Sequence, residues 1–128
     1  MPPPGGSLNL EPLVGTWFAT DEQTAGLVRL ELRPHAGRLF VRAFGPNELE
    51  PYEWGEAEAT TYGADVTAVD AVAFNATFDF GFLVTILAGR VGEGILVLDM
   101  FNAFVDSSGR PNYLSREFFH RRGTAIAD

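Results

Sequence analysis

Apolar and polar residues alternate along most of this chain. In residues 26–33, Val28, Leu30 and Leu32 fall on one side and Arg29, Glu31 and Arg33 on the other. That period of two marks a half-buried strand. A short turn at residues 34–37 leads into residues 38–44, where Leu39, Val41 and Ala43 oppose Phe40, Arg42 and Phe44. The two segments read as a hairpin. Residues 13–20 form an earlier strand. Pro46, Asn47 and Pro51 interrupt the pattern as a loop, and it resumes at 54–62, with Trp54, Glu56, Glu58 and Thr60 opposite Gly55, Ala57, Ala59 and Thr61. Further strands are expected over 68–80, 82–91, 95–105 and 112–121, punctuated by Gly81, by Gly92-Glu93-Gly94 and by the turn at 106–110. This makes eight strands and no helix of three turns.

Eight sequential strands with tight connections form a meander, and its simplest closure is an up-and-down antiparallel β-barrel, which removes exposed sheet edges. A two-sheet sandwich is the competing architecture. The length of 128 residues suits one domain, taken here as a barrel over residues 10–123. Residues 1–9, rich in Pro and Gly, read as a flexible tail, and 124–128 as a second. In the later half, Val72, Phe74, Ala76, Phe78 and Phe80 share one face, and the strands at 82–88 and 95–104 are apolar on both. Strands buried on both faces need cover outside the barrel, so a homo-oligomer, most simply a dimer through strands five to seven, is expected.

Composition narrows the function. The formal net charge is −8, which disfavours nucleic acid, because Arg29, Arg33, Arg38 and Arg42 are interspersed with acidic residues. All the basic residues are arginine; with abundant Ala and Gly this reflects a GC-rich, bacterial coding bias. With no cysteine there is no disulfide, thiol nucleophile or thiolate metal site. The first residues lack the basic start and apolar run of a secretory signal, and no apolar run is long enough for a membrane helix, so a cytoplasmic location and no membrane partner are expected.

Candidate chemistry is sparse. Glu48, Glu50, Glu53, Glu56 and Glu58 form an acidic run, read as a solvated face rather than a cation site. His35 and His120 lack a second ligand at usable spacing, so neither a metal nor a cofactor is expected. Ser115 has no neighbouring base. Asp70, Asp79 and Asp99 interrupt apolar stretches; an inward-facing one would have a raised pKa, whereas an outward one would meet solvent or arginine.

Gly15-Thr16-Trp17, just ahead of the remaining strands, resembles the lipocalin and calycin superfamily, in which a Gly-x-Trp on the first strand closes one end of the barrel. The resemblance implies an arginine from the last strand packed across Trp17, a part open to Arg116, Arg121 or Arg122, with Arg116 taken first. Gly26-x-x-Arg29, Trp54-Gly55 and the stretch from Ser108-Gly109-Arg110 to Ser115-Arg116 are similar to a bacterial group of short lipocalin-like proteins. The acidic, Pro-rich loop after Phe44-Gly45 departs from that group.

The leading functional expectation is a small hydrophobic ligand held inside the barrel, with Trp17, Phe44, Trp54, Phe78, Met100 and Tyr113 as ligand-binding candidates and Trp17 chiefly a plug. The alternatives are a cofactor-independent cyclase or isomerase using Tyr113, Asn75, Asp99 and Arg42, and an interaction domain that works through its apolar outer face.

Overall fold

Cross-strand register follows from the alternation. In β2 (Arg29–His35) and β3 (Arg38–Gly45), Leu30 lies opposite Ala43 and Leu32 opposite Val41, and all four are essentially buried. The turn between them is only Ala36-Gly37, both with positive φ (53° and 79°). That matches the tight hairpin geometry whose twist suits paired strands. Glu93-Gly94 does the same between β6 (Leu83–Gly92) and β7 (Ile95–Phe104), with φ of 53° and 82°.

The computed structural model describes residues 7–47 and 50–121. Its remaining strands are β1 (Gly15–Ala19), β4 (Tyr52–Tyr62), β5 (Ala73–Asp79) and β8 (Tyr113–Arg121). Each pairs antiparallel with its sequence neighbours, and β8 returns to β1 through Trp17↔Arg121, Phe18↔His120 and Ala19↔Phe119. The sheet is therefore a closed eight-stranded up-and-down barrel. Among the described residues no helix is long and apolar enough to cross a membrane.

One irregularity changes a side-chain assignment. Between β3 and β4 the register runs Ala43↔Gly55 and then Phe44↔Glu53, leaving Trp54 as an extra residue in a bulge. Gly55 takes a φ of +113°, a backbone region that penalises a Cβ. The bulge reverses the phase of the strand, so Trp54 turns inward with Ala57 and Ala59 rather than outward with Glu56 and Glu58. Strict alternation, as expected from the sequence, places it on the wrong face.

The two ends of the interior differ. Around Trp17 the barrel is solid: Trp17, Leu30, Phe74, Leu96 and Phe119 are buried to 2% exposure or less. Gly89 leaves room for this packing, because a Cβ there would stand 2.5 Å from Phe74 Cε1. The segment before β1 is part of the seal rather than a free tail. Leu8, Leu10 and Val14 pack on the core, Asn9 N donates to Val69 O at 2.8 Å, and Ala71 N donates to Asn9 O at 2.9 Å. Residues 68–72, expected as strand, instead carry this strap contact, through a parallel bridge of Asn9 to Asp70. Residues 1–6 and the expected C-terminal tail at 124–128 lie outside the described residues.

Candidate functional site

Closure of the barrel at the Trp17 end depends on two side chains. The indole Nε1 of Trp17 donates to Leu13 O at 2.9 Å, and the Arg121 guanidinium lies 4.5 Å from the Trp17 ring centroid. Arg121 also donates to Val14 O and Pro12 O, each at 2.9 Å. The arginine across the tryptophan is thus Arg121, not Arg116. The reason is parity: Arg121 lies an even number of residues from buried Phe119 and pairs with Trp17. Arg116 lies an odd number away and points outward, where it makes a two-pronged ion pair with Asp99 at 2.7 and 3.2 Å. Arg122 lies outside the described residues.

At the opposite end the interior opens into a cavity of about 550 Å³. Its walls follow the inward positions of the strands. Trp54 of β4, Leu83 of β6 and Met100 of β7 form the apolar part, and Tyr52 and Tyr113 stand at the rim, 64% and 54% exposed. Thr85, Asn102 and Ser115 supply the polar part, and the β1–β2 loop contributes Ala25 and Gly26. Phe78 and Phe80 back the Trp54 ring edge-to-face, with centroids 5.7 and 5.2 Å away. Such contacts hold an aromatic wall in place.

The polar residues are ordered. Thr85 Oγ1 donates to Asn102 Oδ1 at 2.8 Å, and both residues are buried, at 0% and 7% exposure. On the inward face of β8, opposite Leu98, Glu117 Oε2 accepts from the Thr24 hydroxyl. Burial pushes the Glu117 carboxyl above the usual carboxylate range, and the nearby Asp21 charge adds to the shift. Glycine at 26 lets the loop sit down on this corner: a Cβ there would be 3.1 Å from Glu117 Oε2 and 3.3 Å from Met100 Cε.

Of the ligand-binding candidates, Trp54, Met100 and Tyr113 line the cavity and Phe78 supports Trp54 from behind. Trp17 is in the plug at the other end. Phe44 is on the outer face: its backbone pairs with Arg29 and Glu53, and the Arg29 guanidinium covers its ring at 4.0 Å. It is buried by that arginine, not by the interior. Sequence reasoning missed Thr85, Asn102 and Glu117. The signal was available, since Leu83-x-Thr85-x-Leu87 and Leu98-x-Met100-x-Asn102 each put one polar side chain on an otherwise apolar inward face.

The other polar candidates lie on the outer wall. Asn75 Nδ2 donates to the Tyr62 hydroxyl at 3.0 Å, and Arg42 is held by Glu53 at 2.7 Å. Asp99 has its carboxyl lowered, not raised, by the hydrogen bond from Arg116. Asp70 accepts from Asn9, and Asp79 accepts from Gly81 N. Glu58 pairs with Arg38, and Glu48 lies outside the described residues. Among the described residues no three His, Asp or Glu side chains converge as metal ligands. His35 instead packs edge-on against Phe40 at 6.2 Å. A second hollow of about 580 Å³ lies on the outer wall, between Ala73, Ala88, Val97 and the Asp99–Arg116 pair. Compared with models of protein families, with curated proteins and with solved structures, the chain matches none.

Proposed function

We propose that the protein is a lipocalin-like barrel that binds one small, mainly apolar molecule in the open half of its interior. The observation that carries this reading is the division of the barrel: one half packed solid behind Trp17, the other left as a cavity of about 550 Å³ walled by Trp54, Leu83 and Met100. A protein with no use for that space would gain stability by filling it with side chains. The volume lies within the usual range of small-molecule sites, as does the lining, apolar with a few ordered polar groups. Binding is favoured over turnover because Asn75, Asp99 and Arg42, three of the four polar groups that a cyclase or isomerase reading relies on, lie outside the barrel.

Native mass spectrometry of protein isolated from its own source tests the reading. A retained small molecule, lost in a Ser115→Phe variant that fills the cavity, is the expected result. Wild-type protein that carries nothing and takes up no apolar ligand when offered one would overturn it.

A second observation favours self-association as well. Ile86, Phe101 and Leu114 line up across β6, β7 and β8 and are 41%, 46% and 60% exposed. Phe118 extends the row at 47%. The face is centred one strand later than the sequence suggests, because β5 shows Asn75 and Thr77 outward. Its charges are Arg90 and the Asp99–Arg116 pair, so two copies of an otherwise acidic chain meet here without repulsion. A two-fold axis near that pair would set each Asp99 against the partner copy's Arg116. The proposed occupant is a second copy of this chain.

A further inference from the structure

The cavity's hydrogen-bonding groups define its occupant more narrowly. This step rests on the binding reading above and names the chemical class of the ligand. Asn102 uses its Oδ1 to accept from Thr85 Oγ1. In that bond Thr85 takes the Asn102 oxygen, which leaves the amide N–H groups without a protein partner among the described residues. The Trp54 indole N–H likewise donates to none of the described residues, although its ring is fixed by Phe78 and Phe80. Asn102 lies in the wall formed by β7 and Trp54 in the wall formed by β4, so two side chains that carry N–H donors line the same space. Solvent reaches both donors in the open cavity, so a ligand that displaces it must offer an acceptor in its place or leave the donors unmade.

Charge supplies the second constraint. Among the described residues no arginine lines the cavity: Glu117 stands at the Gly26 corner with the Asp21 charge near it, and Arg110 lies outside the rim, over Phe82 and Phe104 and paired with Asp106. A carboxylate or phosphate in this space would lose its hydration and gain no counter-ion, a cost that two neutral N–H donors do not offset. The rim phenols of Tyr52 and Tyr113 are neutral and suited to a polar end that reaches the mouth.

We infer that the physiological ligand is an uncharged apolar molecule bearing a carbonyl or ether-type oxygen, which accepts from the Asn102 amide and the Trp54 indole. The same geometry disfavours an acidic headgroup placed inside the cavity. Thr85, also in the wall, acts by holding the Asn102 oxygen.

Three probes of one chain length separate the possibilities: methyl octanoate, octanoate and octane, titrated by calorimetry at neutral pH against the full chain. The ester should bind tightest, and octanoate should bind at least about tenfold more weakly than the ester. The double variant Thr85→Val/Asn102→Leu replaces both hydrogen-bonding partners by apolar groups, a change that preserves packing. It should lower ester affinity about three- to tenfold, the usual worth of one hydrogen bond, without weakening octane, which meets a more apolar wall. Circular dichroism of the variant establishes that it is folded. If it is not, Asn102→Asp keeps an acceptor for Thr85 while removing the donor, and it should weaken the ester by at least as much. Octanoate binding as tightly as the ester, or an ester affinity indifferent to both variants, overturns the class assignment but leaves the binding reading standing. Failure of all three probes to bind overturns both.

Discussion

The Arg121 guanidinium lies over Trp17, 4.5 Å from the ring centroid, and ties down the carbonyls of Pro12 and Val14. One side chain thereby joins the last strand, the first strand and the segment that precedes it. The closeness is built into the backbone, since a Cβ on Gly15 would be 2.8 Å from Arg121 Cδ and Gly15 has a φ of +140°. Truncating Arg121 removes a cation–π contact and charge-assisted hydrogen bonds to backbone. Arg121→Ala should lower stability by about 2–3 kcal/mol. Arg121→Lys should recover only part of that, because an ammonium cannot serve two carbonyls and a ring together. Urea unfolding measures both, and a loss below about 0.5 kcal/mol for the alanine variant would remove Arg121 from the closure.

Filling the open half separates binding from folding. Ser115 faces the cavity from β8, opposite Met100 in the register. A phenylalanine there enters existing space, so Ser115→Phe should lose apolar-ligand binding by more than about tenfold while changing stability by less than about 1 kcal/mol. Titration with methyl octanoate alongside a thermal melt checks both halves. Unchanged affinity would place the bound molecule elsewhere.

Glu117 should make the mouth sensitive to pH. Its carboxyl has a higher pKa in the folded barrel than in the unfolded chain, because of burial and then Asp21. The folded state therefore holds its proton over a window where the unfolded state has released it, and stability falls as pH rises through that window. Glu117→Gln removes this cost and can still accept from Thr24. The variant should be more stable than wild type at neutral pH, and the gain should vanish below the usual carboxylate range. A wild-type advantage at neutral pH would contradict the assignment. The Asp99–Arg116 pair acts in the opposite direction: its lowered carboxyl stabilises above the ordinary Asp range and that contribution is lost in acid.

The outer wall offers a separate test. Phe101→Glu puts a charge in the centre of the Ile86–Phe101–Leu114 row without touching the cavity. Light scattering should report a dimer for wild type and a monomer for the variant, with ligand affinity unchanged. A monomeric wild type at micromolar concentration would dismiss self-association through this face.

The strand count, the hairpin turns and the inward rows of β2, β3 and β5 are legible in the sequence because each depends on local alternation and on Gly at tight turns. The features that it hides are non-local or break the alternation. Trp54 faces inward only because a bulge at Gly55 adds one residue to β4. Phe44 looks like a pocket residue by composition, yet its parity with Arg42 already places it outside. The choice among Arg116, Arg121 and Arg122 depends on the β1–β8 register, which no single strand encodes. The strap from Asn9 to Val69 and Ala71 joins segments too far apart for any periodicity to connect. Thr85 and Asn102 were readable as polar exceptions in apolar rows, but only the pairing of β6 with β7 shows that they meet.

The central claim is that a ligand sits in the half of the barrel facing away from Trp17. The most direct measurement is an NMR titration of the isotope-labelled chain with methyl octanoate, observing the two indole N–H signals, the Met100 methyl and the Asn102 side-chain amide. The Trp54 indole, Met100 and Asn102 should shift together and saturate with one ligand, while the Trp17 indole, bonded to Leu13 O, stays in place. Shifts confined to Ile86, Phe101 and Leu114 on the outer wall, or no saturating shift at all, would contradict the account.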